Sequence, residues 1–104
     1  MQYVFTRKDA VRADLKNPDR TVYFCVDKQR GAKNVSGGTA EIPVNGENPY
    51  HTHEVEEVML IYKGKGVAIV EGETFPVEPE TVVFIPPEVK HQFKNIGPEP
   101  LLFA

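Results

Sequence analysis

Nine prolines and eight glycines are scattered through 104 residues, so nearly every stretch is interrupted before a helix of ordinary length can develop. One segment keeps a helical pattern. Thr6, with Asp9 three residues later, can cap a short helix from Thr6 to Leu15 that carries Val11 and Leu15 on one side and is stopped by Pro18. Elsewhere the chain predicts strands: Thr21 to Asp27, Asn34 to Ile42, His51 to Val55, Glu57 to Tyr62, Val67 to Glu71, Thr74 to Val77, Thr81 to Ile85, Val89 to Asn95 and Leu101 to Phe103. Turn residues separate them, among them Asn45-Gly46, Gly64-Lys65-Gly66, Glu71-Gly72, Pro79-Glu80 and Pro86-Pro87. Strands this short and this numerous fit a closed barrel or a double-sheet jelly roll, because an open sheet that wide leaves long edges. The expected fold is therefore all-β and a single domain over residues 1–104, with an arm over 1–20 and a barrel core over about 34–104.

Composition narrows the function classes. With 40% hydrophobic side chains the chain can close one core, and its length leaves no room for a second domain. A net charge of −3 gives no basic excess to grip a phosphate backbone, so nucleic acid is not an expected partner. No apolar run approaches the ~20 residues that span a bilayer, and Met1 to Arg7 lacks the features of a secretory signal, so a cytoplasmic protein with no membrane partner is expected. Cys25, the single cysteine, has no internal disulfide partner and reads as a small buried thiol. Two strands are apolar on both faces: Val22, Phe24 and Val26 oppose Tyr23 and Cys25, and Val82-Val83-Phe84-Ile85 is continuous. One sheet-on-sheet core needs one such face. The surplus predicts a cover, either the N-terminal segment or a second copy, and a two-fold homodimer is the simpler.

The chemistry concentrates in the three histidines. His51 and His53 are one residue apart, which on a strand puts both imidazoles on one face, and the same parity runs on to Val55 and Glu57. A rolled sheet can bring His91 alongside. Three imidazoles and a carboxylate suit a divalent transition metal, since nitrogen donors favour Fe, Ni, Cu and Zn and the carboxylate admits Mn. A His-x-His pair alone is common on exposed strands, and Glu54, Glu56 and Glu57 alone read as a solvated face. The ordered combination of His51, His53, Glu57, Gly64, Pro86, His91 and Asn95 carries the weight.

From about Asn34 onward those residues make the chain resemble the cupin superfamily. The first cupin motif is matched by Gly46, His51, His53, Glu57 and Gly64, with Gly46 one residue closer to the first histidine than is usual. The second is matched by Pro86, His91 and Asn95, but Glu80 and Glu88 replace its two glycines. Where a turn demands positive φ, Glu80 would carry roughly 1 kcal/mol of strain unless the turn is of another type. The resemblance implies a small barrel in which His51, His53, Glu57 and His91 hold one divalent transition metal ion (Fe, Mn, Ni or Zn), with coordination positions left open. The activities it implies include isomerases, epimerases, dioxygenases, decarboxylases and lyases, so the fold alone does not select a reaction.

By parity, Met59 and Ile61 follow Glu57 inward and Val89 and Phe93 flank His91, predicting a largely apolar pocket beside the metal. Tyr50, Tyr62 and Gln92 fall on the opposite parity, and Asn95 reads as a turn residue. The expected function is a mononuclear metal-dependent enzyme acting on a small oxygen-rich organic molecule, with no general base assigned. The alternative is a non-catalytic module that binds or senses a small ligand in the same cavity.

Overall fold

The computed structural model describes residues 1–104 and contains nine strands: β1 (Val11–Leu15), β2 (Arg20–Val26), β3 (Gly37–Ile42), β4 (Glu57–Lys63), β5 (Gly66–Val70), β6 (Glu73–Val77), β7 (Val82–Ile85), β8 (His91–Asn95) and β9 (Leu101–Phe103). They form a six-stranded sheet in the order β1-β2-β3-β9-β4-β7 and a three-stranded sheet in the order β6-β5-β8. Every pairing is antiparallel. The fold is the all-β jelly roll that the strand spacing predicts. No helix is long and apolar enough to cross a membrane.

Alternation along the strands builds the core. Ile42, Met59, Ile61, Ala68, Val77, Ile85, Phe93, Leu101 and Phe103 form one buried cluster between the sheets. Their neighbours at odd spacing face outward, as the two-residue period requires. The β5–β6 hairpin turns on Glu71 and Gly72, both at positive φ (49° and 80°), the pairing that matches strand twist in a two-residue turn. Gly64, at φ 86°, tolerates no other residue, because a Cβ there would lie 2.5 Å from the Pro100 carbonyl oxygen.

The expected helix from Thr6 to Leu15 does not form. A single 3-10 turn spans Arg7–Asp9, closed by Asp9 accepting from the Thr6 amide at 2.8 Å and the Thr6 hydroxyl at 3.1 Å. Beyond it Val11, Ala13 and Leu15 alternate with Arg12 and Asp14, a pattern that also reads as a strand, and β1 pairs with β2 from Val11↔Phe24 to Leu15↔Arg20. Pairing with a long neighbour supplies the hydrogen bonds that so short a helix could not sustain alone. The expected arm over residues 1–20 thus contributes a strand to the larger sheet.

Glu80 and Glu88 both occupy the left-handed region, at φ 73° and 65°. The turns keep the geometry that glycine would favour, and each glutamate bears the cost of about 1 kcal/mol. Cys25 is free and half-buried rather than fully enclosed.

Candidate metal centre

The two sheets meet the same point from opposite sides. Glu57 opens β4 of the larger sheet and pairs with Ile85 of β7. His91 opens β8 of the smaller sheet and is buried. His51 joins β8 through one antiparallel bridge: its amide donates to the His91 carbonyl at 3.1 Å, and the His91 amide donates back at 2.9 Å.

A strand from His51 to Val55 was expected, and only His51 pairs as one. The segment must cross from the smaller sheet to the larger one within a few residues, and no strand is available alongside Thr52 to Glu56 to take its hydrogen bonds. The parity argument fails accordingly at Val55, which is exposed. His53 is held instead by a loop: its carbonyl accepts from the Glu88 amide at 2.8 Å. Across the missing strand, the two rings still converge.

His51, His53 and His91 place ligand atoms within 4.8 Å of one another. The Nε2 atoms of His51 and His53 are 2.9 Å apart. Glu57 Oε1 lies 3.4 Å from His53 Nε2, and Glu57 Oε2 lies 2.9 Å from His91 Nε2. All four residues of the expected set are therefore brought together. His91 Nδ1–H donates to the Val89 carbonyl at 2.9 Å, and His51 Nδ1–H donates to the Pro49 carbonyl. In each neutral ring this leaves the Nε2 lone pair directed at the shared point, the arrangement by which backbone carbonyls orient metal-binding imidazoles. Burial pushes His51 below the ordinary imidazole value of 6.5, against the pull of the Pro49 carbonyl, so its ring is kept neutral.

Glu57 Oε2 is buried and has no hydrogen-bond partner. It faces the Nε2 of His91, whose Nδ1–H is engaged by Val89, so the contact is held either by a proton on Nε2 or by a cation between the two atoms. Two acceptors 2.9 Å apart repel unless positive charge lies between them. The donor set and this orphaned oxygen together fit a divalent cation.

Behind the donors, Met59, Ile61 and Phe93 continue the same strand faces into the buried core, with Val89 packed against it. Tyr50 and Tyr62 are exposed, in keeping with their parity. Two surface grooves, of about 380 and 340 Å³, lie elsewhere, one around Arg12, Asp14 and Arg20 and the other around Asn45, Glu47 and Lys94. Neither contains a histidine.

Sequence reasoning missed the scaffold that seats His51. Asn48 imitates a strand partner for β8: its side-chain oxygen accepts from the Phe93 amide at 2.6 Å, and its own amide donates to the Phe93 carbonyl at 3.2 Å. Gln92, expected outside, is half-buried and donates to the Asn48 carbonyl at 2.8 Å. Asn95, expected as a turn residue, is a buried strand end whose amide group donates to the carbonyls of Ile42, Pro43 and Glu99 while its oxygen accepts from Gly97. The asparagine that ends the second motif was the one available signal. Asn48, in a loop of polar residues, gave none.

Comparison with known proteins places this geometry in a family. Residues 38–104 match the family described as "Cupin domain". Among solved structures, the polyketide cyclase RemF of Streptomyces resistomycificus superposes with a TM-score of 0.86 at 25% identity, covering 99% of this chain and 76% of that one. An uncharacterized protein of Methanocaldococcus jannaschii is 35% identical over 72 residues, covering 66% of this chain and 58% of that protein. A glucose-6-phosphate isomerase of Pyrococcus horikoshii is 44% identical over 52 residues, covering 45% of this chain and 28% of the isomerase. The matches span less than two thirds of either curated relative. With more than half of its length matched and both sheets in place, the chain belongs to the cupin domain family.

Proposed function

We propose that this protein is a mononuclear metal-dependent enzyme of the cytoplasm, acting on a small oxygen-rich organic molecule through one Fe, Mn, Ni or Zn ion held by His51, His53, Glu57 and His91. The observation that carries the reading is the convergence of His51, His53 and His91, with ligand atoms within 4.8 Å of one another, on the Glu57 carboxylate, whose oxygens lie 3.4 Å from His53 Nε2 and 2.9 Å from His91 Nε2. A cation bound there supplies Lewis-acid polarisation of a carbonyl or hydroxyl oxygen. The chain's own contribution is orientation and exclusion. Carbonyls of Pro49 and Val89 hold two rings in one tautomer, the packed core closes the inner side, and His53 leaves the outer side accessible. A glucose-6-phosphate isomerase and a polyketide cyclase are both named for reactions on oxygen-bearing carbon skeletons, which supports that substrate class. A single unpaired cysteine suits a reducing compartment.

Elemental analysis of purified protein should find close to one such ion per chain. Absence of metal after incubation with each of the four would end the reading. The loaded protein should then convert at least one member of a panel of sugars, sugar phosphates, keto acids and polyketide-like phenols. Binding across that panel without any product would identify a ligand-binding module instead.

A further inference from the structure

The larger sheet has six strands and the smaller three, so the smaller cannot cover the larger completely. What stays uncovered is the inner face of β1 and β2. One row of that face runs across the sheet from Val22 to Ala40, Phe103 and Ile61, the last three in the core or packed against it. Two residues along each strand toward the metal centre, the next row holds Val11, Phe24 and Gly38 on one side and Met59 and Val83 on the other. Glu57 stands one row further on, beside Ile85. Met59 is 8% exposed, whereas Phe24 is 46% and Val11 55% exposed. Between them Gly38 must stay bare, because a Cβ there would collide with the Tyr23 carbonyl oxygen. Apolar surface therefore leads from beside Glu57 out to an open shelf.

Charge is distributed so as to leave that shelf without a cation. Around β1 and β2 the guanidinium groups are engaged on the outer side: Arg7 lies 4.0 Å above the Tyr23 ring, Arg12 pairs with Asp14 at 3.1 Å, and Arg30 donates to the carbonyls of Phe24 and Asp9. Arg20 shares the parity of Val22 and Phe24, but it lies on the far side of Val22 from the metal centre and donates to the Pro18 carbonyl at 2.7 Å. The charged groups near His53 are carboxylates. Glu54 and Glu56 are exposed in the crossing, and the amide of the exposed Glu88 holds the His53 carbonyl. A phosphoryl or sulfonate group is held by charged N–H donors, and none faces this surface. We infer, on the strength of the metal centre proposed above, that the inner face of β1 and β2 binds the uncharged, aromatic body of the molecule whose oxygens that centre holds, and rejects a phosphorylated or sulfonated one. An aromatic ring laid on Phe24 between Val11 and Val22 leaves water together with all three, and it gains the offset or edge-on contact that two rings prefer.

The full chain is loaded with whichever of the four ions it retains best, its metal content is measured, and three diketones are titrated into it by calorimetry: acetylacetone, benzoylacetone, and benzoylacetone with a sulfonate on its ring. The chelating oxygens are the same throughout and only the body changes. Benzoylacetone should bind at least about tenfold more tightly than acetylacetone, and the sulfonate should abolish that gain. Phe24→Asp, at a position that touches no metal ligand in the register, should bring benzoylacetone down to the affinity of acetylacetone with metal content unchanged. Equal affinity for the three probes, tightest binding of the sulfonate, no binding of any of them, or a Phe24→Asp protein that keeps the preference overturns the inference and leaves the metal centre standing. Should the variant misfold, amide exchange of the unmodified protein decides: slowing in β1 and β2 with benzoylacetone and not with acetylacetone supports the inference, and no such difference overturns it. Failure to retain any of the four ions defeats the metal centre itself, and the inference falls with it.

Discussion

His91 and His53 bring the same ring nitrogen to the same place on very different supports. The His91 side chain is 4% exposed, its backbone is paired on a strand and its second nitrogen is bonded to Val89. The His53 side chain is 41% exposed, lies outside any strand, and is tied by one carbonyl to the amide of Glu88, itself in a left-handed conformation. The contrast teaches that the centre has a fixed wall and an open one. A ligand arriving from solvent meets the side whose geometry is cheapest to adjust.

Removing the two rings should separate these roles. His91→Ala is expected to abolish metal retention and also to destabilise the metal-free protein by about 2–3 kcal/mol, because it opens a hole and leaves Glu57 facing it. His53→Ala should lose metal as well, yet shift metal-free stability by no more than about 0.5 kcal/mol. Denaturant titration and elemental analysis of both variants check this, and equal destabilisation would erase the distinction. Next in size is Asn48→Ala. Freeing the Phe93 amide should cost about 1 kcal/mol, and loosening His51 should weaken metal binding about tenfold.

Acidification probes the intermediate ring. Burial lowers the His51 value in the fold, so below 6.5 the unfolded chain takes up a proton that the folded one refuses. That contribution is complete above 6.5 and vanishes as the pH falls through the lowered folded value. The metal-free protein should therefore lose stability as pH is brought down from neutrality across 6.5, and urea midpoints that rise instead would contradict the assignment. Smallest is Glu88→Gly, which relieves a left-handed glutamate at the cost of a freer unfolded chain, for a net gain of about 0.5 kcal/mol. Because the Glu88 amide holds His53, the same change should raise metal affinity slightly where a change at Glu80 should not.

What could be read from the residues follows the range of the interactions involved. The run of short strands and the inward facing of Met59, Ile61 and Phe93 are local alternation, and they were legible, whereas the place of β9 between β3 and β4 depends on long-range pairing and was not. The four donors were legible as residue types, through the spacing of His51, His53 and Glu57 and the later His91. Their convergence was expected for a wrong local reason, since the segment after His51 is a crossing rather than a strand. The segment from Val11 to Leu15 satisfies helical and strand periods alike, and only the presence of β2 decides between them. Asn48, Gln92 and Asn95 were obscure because their partners lie far away in sequence, and a polar residue announces no distant carbonyl.

Glu57 and the three rings also have a mechanical consequence, because they belong to different layers of the fold. An ion held among them acts as a clasp at one rim of the sandwich, while at the opposite rim the layers are joined without any ion, by the Asn95 amide bonded to the carbonyls of Ile42 and Pro43. Chelation should therefore unfasten the protein asymmetrically, with proteases cutting first in the crossing between Thr52 and Glu56 long before the β5–β6 hairpin yields.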